Sequence, residues 1–229
     1  MTPGELVALF RREIDDLVTP YLWSEDDVYH YLDISQREFA RLTYYFADAS
    51  TPDVCQAAVT AGEKFVDISP LVIQVRRAKL TSQTRDLHLA SLYKAQDLFW
   101  GSDYGSTRGN AYWETSTGTP RAMLMDVERD KGRLVPIPEA ADTLEMMVYR
   151  YPLETVTPAS TELEVADTRH QRILLHEMKS LAYSKHDSDV QNDALAEAFH
   201  LRFEQACVAV KNELTRGRDR SWTTRSAWI

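Results

Sequence analysis

Histidine, cysteine and carboxylate side chains are the material for metal and acid–base chemistry, and the 229-residue chain holds 6 His, 2 Cys and 35 Asp+Glu. His176-Glu177-Met178-Lys179-Ser180 begins like the helix of a zinc protease. It carries serine where the second histidine must stand, and zinc needs two ligands on one helical face, so the motif fails. His170 and His176 are six residues apart and do not share a face. The acidic run from His186 to Asp193 could suggest calcium, but an EF-hand loop needs glycine at position six and a bidentate acid at twelve. Counted from Asp187 those positions are Asn192 and Ala198, so the run reads as a turn with acids at a helix start. Gly101, Gly105 and Gly109 offer backbone amides, yet neither Gly-Lys-Ser/Thr nor a strand-to-helix context accompanies them. No Gly-x-Ser-x-Gly elbow occurs, and no carboxylates can be paired across a cleft from their spacing. Cys55 and Cys207 lie far apart with no Cys-x-x-Cys pair, which fits a reducing compartment and excludes a disulfide framework. The expectation is no catalytic residue, no cofactor and no metal.

The positive chemical signal is at the C-terminus. The chain has 26 Lys+Arg and a net charge of −9, but residues 216–229 hold Arg216, Arg218, Arg220 and Arg225 against Asp219 alone. This stretch also carries Trp222 and Trp228, two of only 5 tryptophans, and ends on Ile229. A freely solvated tail usually lacks aromatics, whereas exposed Trp and Arg dominate interface hot spots. Arg216, Arg218, Arg220, Trp222, Arg225, Trp228 and Ile229 are therefore the candidate partner-binding residues. Folding of the tail back onto the acidic body is the alternative, and single-stranded nucleic acid is a further one. An acidic chain otherwise lacks the clustered cations that phosphate contacts need.

These residues must be held by elements readable from period and punctuation. Thr2-Pro3-Gly4-Glu5 starts a first helix of about four turns, with Leu6, Leu9, Phe10, Ile14 and Leu17 as its stripe. Ser24 caps a second helix whose stripe runs Val28, Tyr31, Leu32, Ser35, Phe39, Leu42 and Phe46, and the link Pro20–Trp23 pairs the two. Beyond Pro52 the period turns to strands. Val54–Thr60 and Lys64–Ile68 read as a hairpin about Ala61-Gly62-Glu63. Leu71–Leu80 and Asp86–Ala90 read as strands, and residues 101–118 as a long loop. A hairpin over Arg121–Val127 and Arg133–Pro138 turns at Arg129-Asp130-Lys131-Gly132, and Thr143–Tyr151 is a further strand. Helices return over Asp167–Ser184, and from a cap at Ser188 or Asp189 to a stop at Gly217. The last helix has a seam of Leu195, Phe199, Phe203, Ala206, Cys207, Val210 and Leu214. The order predicts an α+β fold: an antiparallel helical bundle, two helices from each end of the chain, with an inserted, mostly antiparallel β domain and an extended C-terminal tail. The boundaries are 1–50 for the N-terminal hairpin, 51–160 for the β domain, 161–216 for the C-terminal helices and 217–229 for the tail. No uncharged run exceeds the nine residues Val54–Gly62, and no basic segment precedes an apolar block at the N-terminus, so neither a membrane helix nor a signal peptide is expected.

The chain resembles the head-to-tail adaptor (connector) proteins of tailed bacteriophages. The resemblance is carried by Pro20-Tyr21-Leu22-Trp23-Ser24, Tyr31-Leu32, Gln36-Arg37-Glu38 and Arg41 in the first helices. In the β region it is carried by Gly118-Thr119-Pro120-Arg121, Leu134-Val135-Pro136-Ile137-Pro138 and Val148-Tyr149-Arg150-Tyr151-Pro152, and near the end by Ala182-Tyr183-Ser184-Lys185 with Asp187 and Asp189. It implies a non-enzymatic subunit of a neck ring in the virion, typically twelve copies, assembled in the host cytoplasm. The C-terminal segment would dock on the portal protein, the lower face would meet a tail, nozzle or tube protein, and DNA would pass through the lumen without specific binding. The alternative is a virion-associated binding module whose β domain recognises a carbohydrate or another tail protein. A hydrolase within the β domain is a third reading, with no motif behind it.

Overall fold

The computed structural model describes residues 1–93, 112–185 and 191–219. Its elements begin with α1 (Pro3–Glu13), α2 (Glu25–Thr43), β1 (Phe46–Asp48), α3 (Pro52–Cys55), β2 (Gln56–Val59), β3 (Phe65–Asp67), β4 (Val72–Leu80) and β5 (His88–Ala90). They continue with α4 (Tyr112–Thr115), β6 (Thr117–Gly118), β7 (Ala122–Glu128), β8 (Lys131–Val135), β9 (Ile137–Pro138), β10 (Asp142–Arg150), α5 (Thr168–Ser184) and α6 (Asp193–Asp219). The fold is mixed α+β, and the chain divides into a helical unit, Met1–Phe46 with Tyr151–Ile229, and a β unit, Ala47–Arg150.

In the helical unit the caps act as the sequence implies. Thr2 Oγ1 accepts from Glu5 N at 3.2 Å while the Glu5 carboxylate accepts from Thr2 N at 2.9 Å, a complete capping box. Ser24 Oγ accepts from Asp27 N at 3.1 Å, with Glu25, Asp26 and Asp27 in the first turn of α2. α1 is a turn shorter than expected: Ile14 caps it, Asp15 takes φ 59°, and Leu17 leaves the buried stripe. α2 likewise stops at Thr43, because Tyr44 is left-handed at φ 54° and Phe46 opens β1 instead of extending the stripe. α6 starts at Asp193, with Asn192 Oδ1 accepting from Leu195 N at 3.1 Å. Ser188 and Asp189, the expected caps, lie outside the described residues.

Side-chain pairs fix the helix directions. Met1 donates to Gln171 Oε1 at 2.9 Å and Glu13 pairs with Lys179, so α1 runs along α5 in the same sense. Asp27 at the start of α2 meets Lys185 at the end of α5, while Phe39 and Tyr45 pack on His170 near its start. The Tyr183 backbone carbonyl accepts from Asn192 N at 3.0 Å, Glu177 pairs with His200 and Arg169 with Glu213, so α6 also runs back along α5. The α6 seam buries Ala196, Phe203, Cys207 and Val210; Leu195, expected in it, is exposed.

In the β unit, β10 is the central strand. β4 pairs antiparallel along Leu144–Arg150 and β2 along Asp142–Glu145, which overlap at Leu144 and Glu145 and so occupy opposite edges. β1 also pairs with β10. A second sheet has the order β3-β8-β7-β5, antiparallel except for β5 with β7, and β6 and β9 form a short parallel pair. One core joins Val75, Ala78, Leu144, Met146 and Val148 of the first sheet to Val66, Met123 and Leu134 of the second. The hairpin expected about Gly62 is not formed: β2 joins β10 and β3 joins β8, in different sheets. Gly62, at φ 80° and donating to the Pro138 carbonyl at 2.7 Å, carries the chain across. Burial along β4 does not simply alternate. The register skips Arg76 and then Ile73, two bulges that shift the phase, so Val75 is buried together with Ala78 and Leu80. The β7–β8 hairpin forms with a tighter turn than expected, Arg129-Asp130, with Asp130 at φ 56°; Lys131 and Gly132 already belong to β8.

Candidate interaction surfaces

The residues that resembled catalytic chemistry pack against their neighbours on α5 and α6. His176 is half-buried, stacks on Phe199 with ring centroids 6.4 Å apart, and is pushed towards its neutral form by burial and then by Lys179 and Arg202. Glu177 is buried and its Oε2 lies 2.8 Å from His200 Nδ1. That hydrogen bond raises the His200 pKa against partial burial, with Glu204 and Glu38 adding to the effect. Burial, and then the same three carboxylates, push the Cys207 thiol up to about 12, an unreactive state. Burial likewise raises Cys55. Among the described residues no group of three His, Cys, Asp or Glu could hold a metal ion, and no helix is long and apolar enough to cross a membrane. Gly101, Gly105, Gly109 and the acidic residues at 186–190 lie outside the described residues.

The candidate partner-binding residues begin on a helix. α6 continues through Gly217 to Asp219, so the expected stop at Gly217 and the start of an extended tail there are corrected. One helical glycine costs about 1 kcal/mol relative to alanine, and no proline follows to enforce a break. The last packed turns are held from two sides: Lys211 Nζ sits 4.7 Å from the Tyr44 ring centroid, and Glu213 faces Arg169 and His170. Leu214 is half-buried and Arg216 exposed. Arg218 is on the same helix, and Arg220, Trp222, Arg225, Trp228 and Ile229 lie outside the described residues.

At the opposite end of α6 is a surface that the sequence did not reveal. The α1–α2 link leaves Leu17, Val18, Tyr21 and Leu22 60, 78, 45 and 58% exposed. The link itself is fixed by a buried polar network. Arg11 Nη1 donates to Asp16 Oδ2 at 2.5 Å and to the Trp23 carbonyl at 3.1 Å, and Leu22 N donates to Asp16 Oδ1 at 2.9 Å. The Arg11 guanidinium also lies 3.9 Å from the Tyr21 ring centroid. Buried Trp23 donates through Nε1 to the Ala182 carbonyl at 3.1 Å, which ties the link to the end of α5. In the sequence these apolar residues are indistinguishable from the end of a buried stripe; the one local signal is the pair of opposite charges, Arg11 and Asp16, inside an apolar pattern.

The helical unit holds 14 Lys+Arg against 21 Asp+Glu, so the acidic character of the chain resides mainly there. No curated protein matches the chain. A family model does match, that of the SU10 adaptor protein, over residues 1–227. Nearly the whole chain, both units included, is therefore accounted for by one family, as the resemblance to phage head-to-tail adaptors implied, and the chain belongs to the SU10 adaptor protein family, a structural component of the phage virion.

Proposed function

We propose that the chain is a subunit of the neck ring, twelve copies around the DNA channel, which docks on the portal protein through residues 216–229 and joins the head to the tail. The observation that carries this reading is the family match across residues 1–227. The helical unit, in which α2 and α6 run antiparallel to α5 and α1 runs with it, forms the body of the subunit, and the β unit is inserted in sequence between its halves. α6 supports the docking role by carrying the exposed Arg216, and Arg218 lies on the same helix. The excess of acid in the helical unit suits a channel wall that repels DNA and lets it slide. Neighbouring copies, the portal and a tail, nozzle or tube protein are the partners, and the role requires no catalysis.

The test is light scattering after size exclusion, with and without portal rings. The full chain should join the portal ring, and a variant lacking residues 217–229 should keep its circular dichroism while losing portal association. A full-length chain that never joins the portal, or a truncated one that docks normally, would refute the reading.

A further inference from the structure

From the exposed apolar link between α1 and α2, we infer that Leu17, Val18, Tyr21 and Leu22 form the docking surface for the virion component joined on the side of the ring away from the portal. This rests on the proposed neck-ring function and assigns its second partner surface. Position is the first support. Trp23 and Ala182 place the link at the end of α5 where α6 begins, whereas Arg169, His170 and Glu213 mark the end from which the C-terminal residues depart. The stretch of α6 from Phe199 to Arg216 separates the two ends by about 25 Å at 1.5 Å per residue. A subunit held to the portal at its C-terminal end presents the link on the far side.

The second support is preorganisation. Four exposed apolar side chains would ordinarily collapse onto the body; here the backbone beneath them is fixed by the buried Arg11–Asp16 pair and by Trp23. A surface ordered before binding loses little conformational entropy when a partner arrives. Charge then narrows the partner. Exposed Asp15, Glu25 and Asp26 flank the link against Arg12, while Glu13 and Asp27 are occupied by Lys179 and Lys185. Two copies meeting link to link would bring these carboxylates face to face. The surface instead fits an apolar socket edged by lysine or arginine on a different protein.

The experiment uses virions assembled in the host with the gene encoding Leu17→Ser together with Leu22→Ser, imaged after purification. The expected result is filled heads that carry the adaptor ring and nothing below it, with tailed particles reduced at least about tenfold, the scale of one lost hot spot. A second variant, Asp26→Lys, changes an exposed rim charge without touching the packing and should lower tail attachment in the same direction; it stands in if the double variant lowers the melting temperature. Tailed particles at wild-type frequency in both variants would overturn the inference. Heads lacking the ring would overturn it as well, because the link would then serve the portal or a neighbouring copy. Loss of portal docking by the chain itself is read separately from the 217–229 truncation, so failure of the neck-ring reading and failure of this surface are distinguishable.

Discussion

Replacing Asp48 by asparagine should loosen the β unit at the point where the chain enters and leaves it. Asp48 is buried, and its Oδ1 accepts from Ser50 N at 2.8 Å, Ser50 Oγ at 3.1 Å and Thr51 N at 3.2 Å. Its Oδ2 accepts from Thr51 Oγ1 at 2.7 Å and Arg150 Nε at 2.6 Å. Burial alone would raise the pKa of this carboxyl, but the Ser50 amide, the Thr51 hydroxyl and Arg150 together hold it far below the usual carboxylate range. Asparagine keeps an oxygen for the backbone amides but turns an NH₂ towards the buried Arg150 guanidinium. Removing one partner of a buried ion pair costs about 3–5 kcal/mol, and the retained amide bonds place this change near 3 kcal/mol. The assay is hydrogen exchange with thermal denaturation. Amides of β10 and β4 should exchange about a hundredfold faster, with a fall of at least about 12 °C in the melting temperature of the β unit. The pH dependence has a fixed sign. A depressed folded-state pKa contributes stability above the unfolded value of about 3.9, lost as pH falls towards the folded value, so the gap between wild type and variant should narrow in acid. A melting shift below about 1 °C, or a gap that widens in acid, would refute the reasoning.

His200 gives the opposite sign. Its raised pKa means the bond to Glu177 contributes fully below about 6.5 and is lost as pH rises through the folded value. Because His200 is about half exposed, the effect should be 1 kcal/mol or less, on the order of a surface pair, and a His200→Gln variant should flatten the melting-temperature profile above neutral pH. Gly132→Ala would place a Cβ 2.8 Å from Met123 Sδ and 3.3 Å from Val66 Cγ1, so urea denaturation should show a loss of about 1 kcal/mol, at the low end of overpacking because methionine can shift. Cys55 and Cys207 should fail to react with a thiol reagent at pH 8 until the chain is unfolded, since both are buried and their thiolates disfavoured.

The starts of α1, α2 and α5 were legible because caps are local: Thr2, Ser24 and Asp167 satisfy amides two or three residues away. The ends were less so. Leu17 and Phe46 continue an apolar period that the backbone abandons at Asp15 and Tyr44, where left-handed residues redirect the chain. The β7–β8 pairing was legible because its turn is local, whereas the partners of Gln56–Val59 and Phe65–Asp67 were not, since these strands are adjacent in sequence yet join different sheets through non-local pairing. The bulges in β4 depend on what β10 presents opposite them, which no single-strand pattern records. At the C-terminus, composition alone singled out the arginines and tryptophans. The apolar link escaped notice because hydrophobicity does not state which side of a backbone faces water; only the Arg11–Asp16 network decides that.

Pairing of β1 with β10 has a consequence for how such a chain can change. Asp48 and Arg150 are 102 positions apart in the chain, yet their side chains meet at 2.6 Å, so the β unit begins and ends at one place. A segment with neighbouring ends can be exchanged for a short turn, or for a different segment, without asking the rest of the chain to span a new distance. The β unit is in this sense a cassette, whose two ends stay together whatever the length of chain between them.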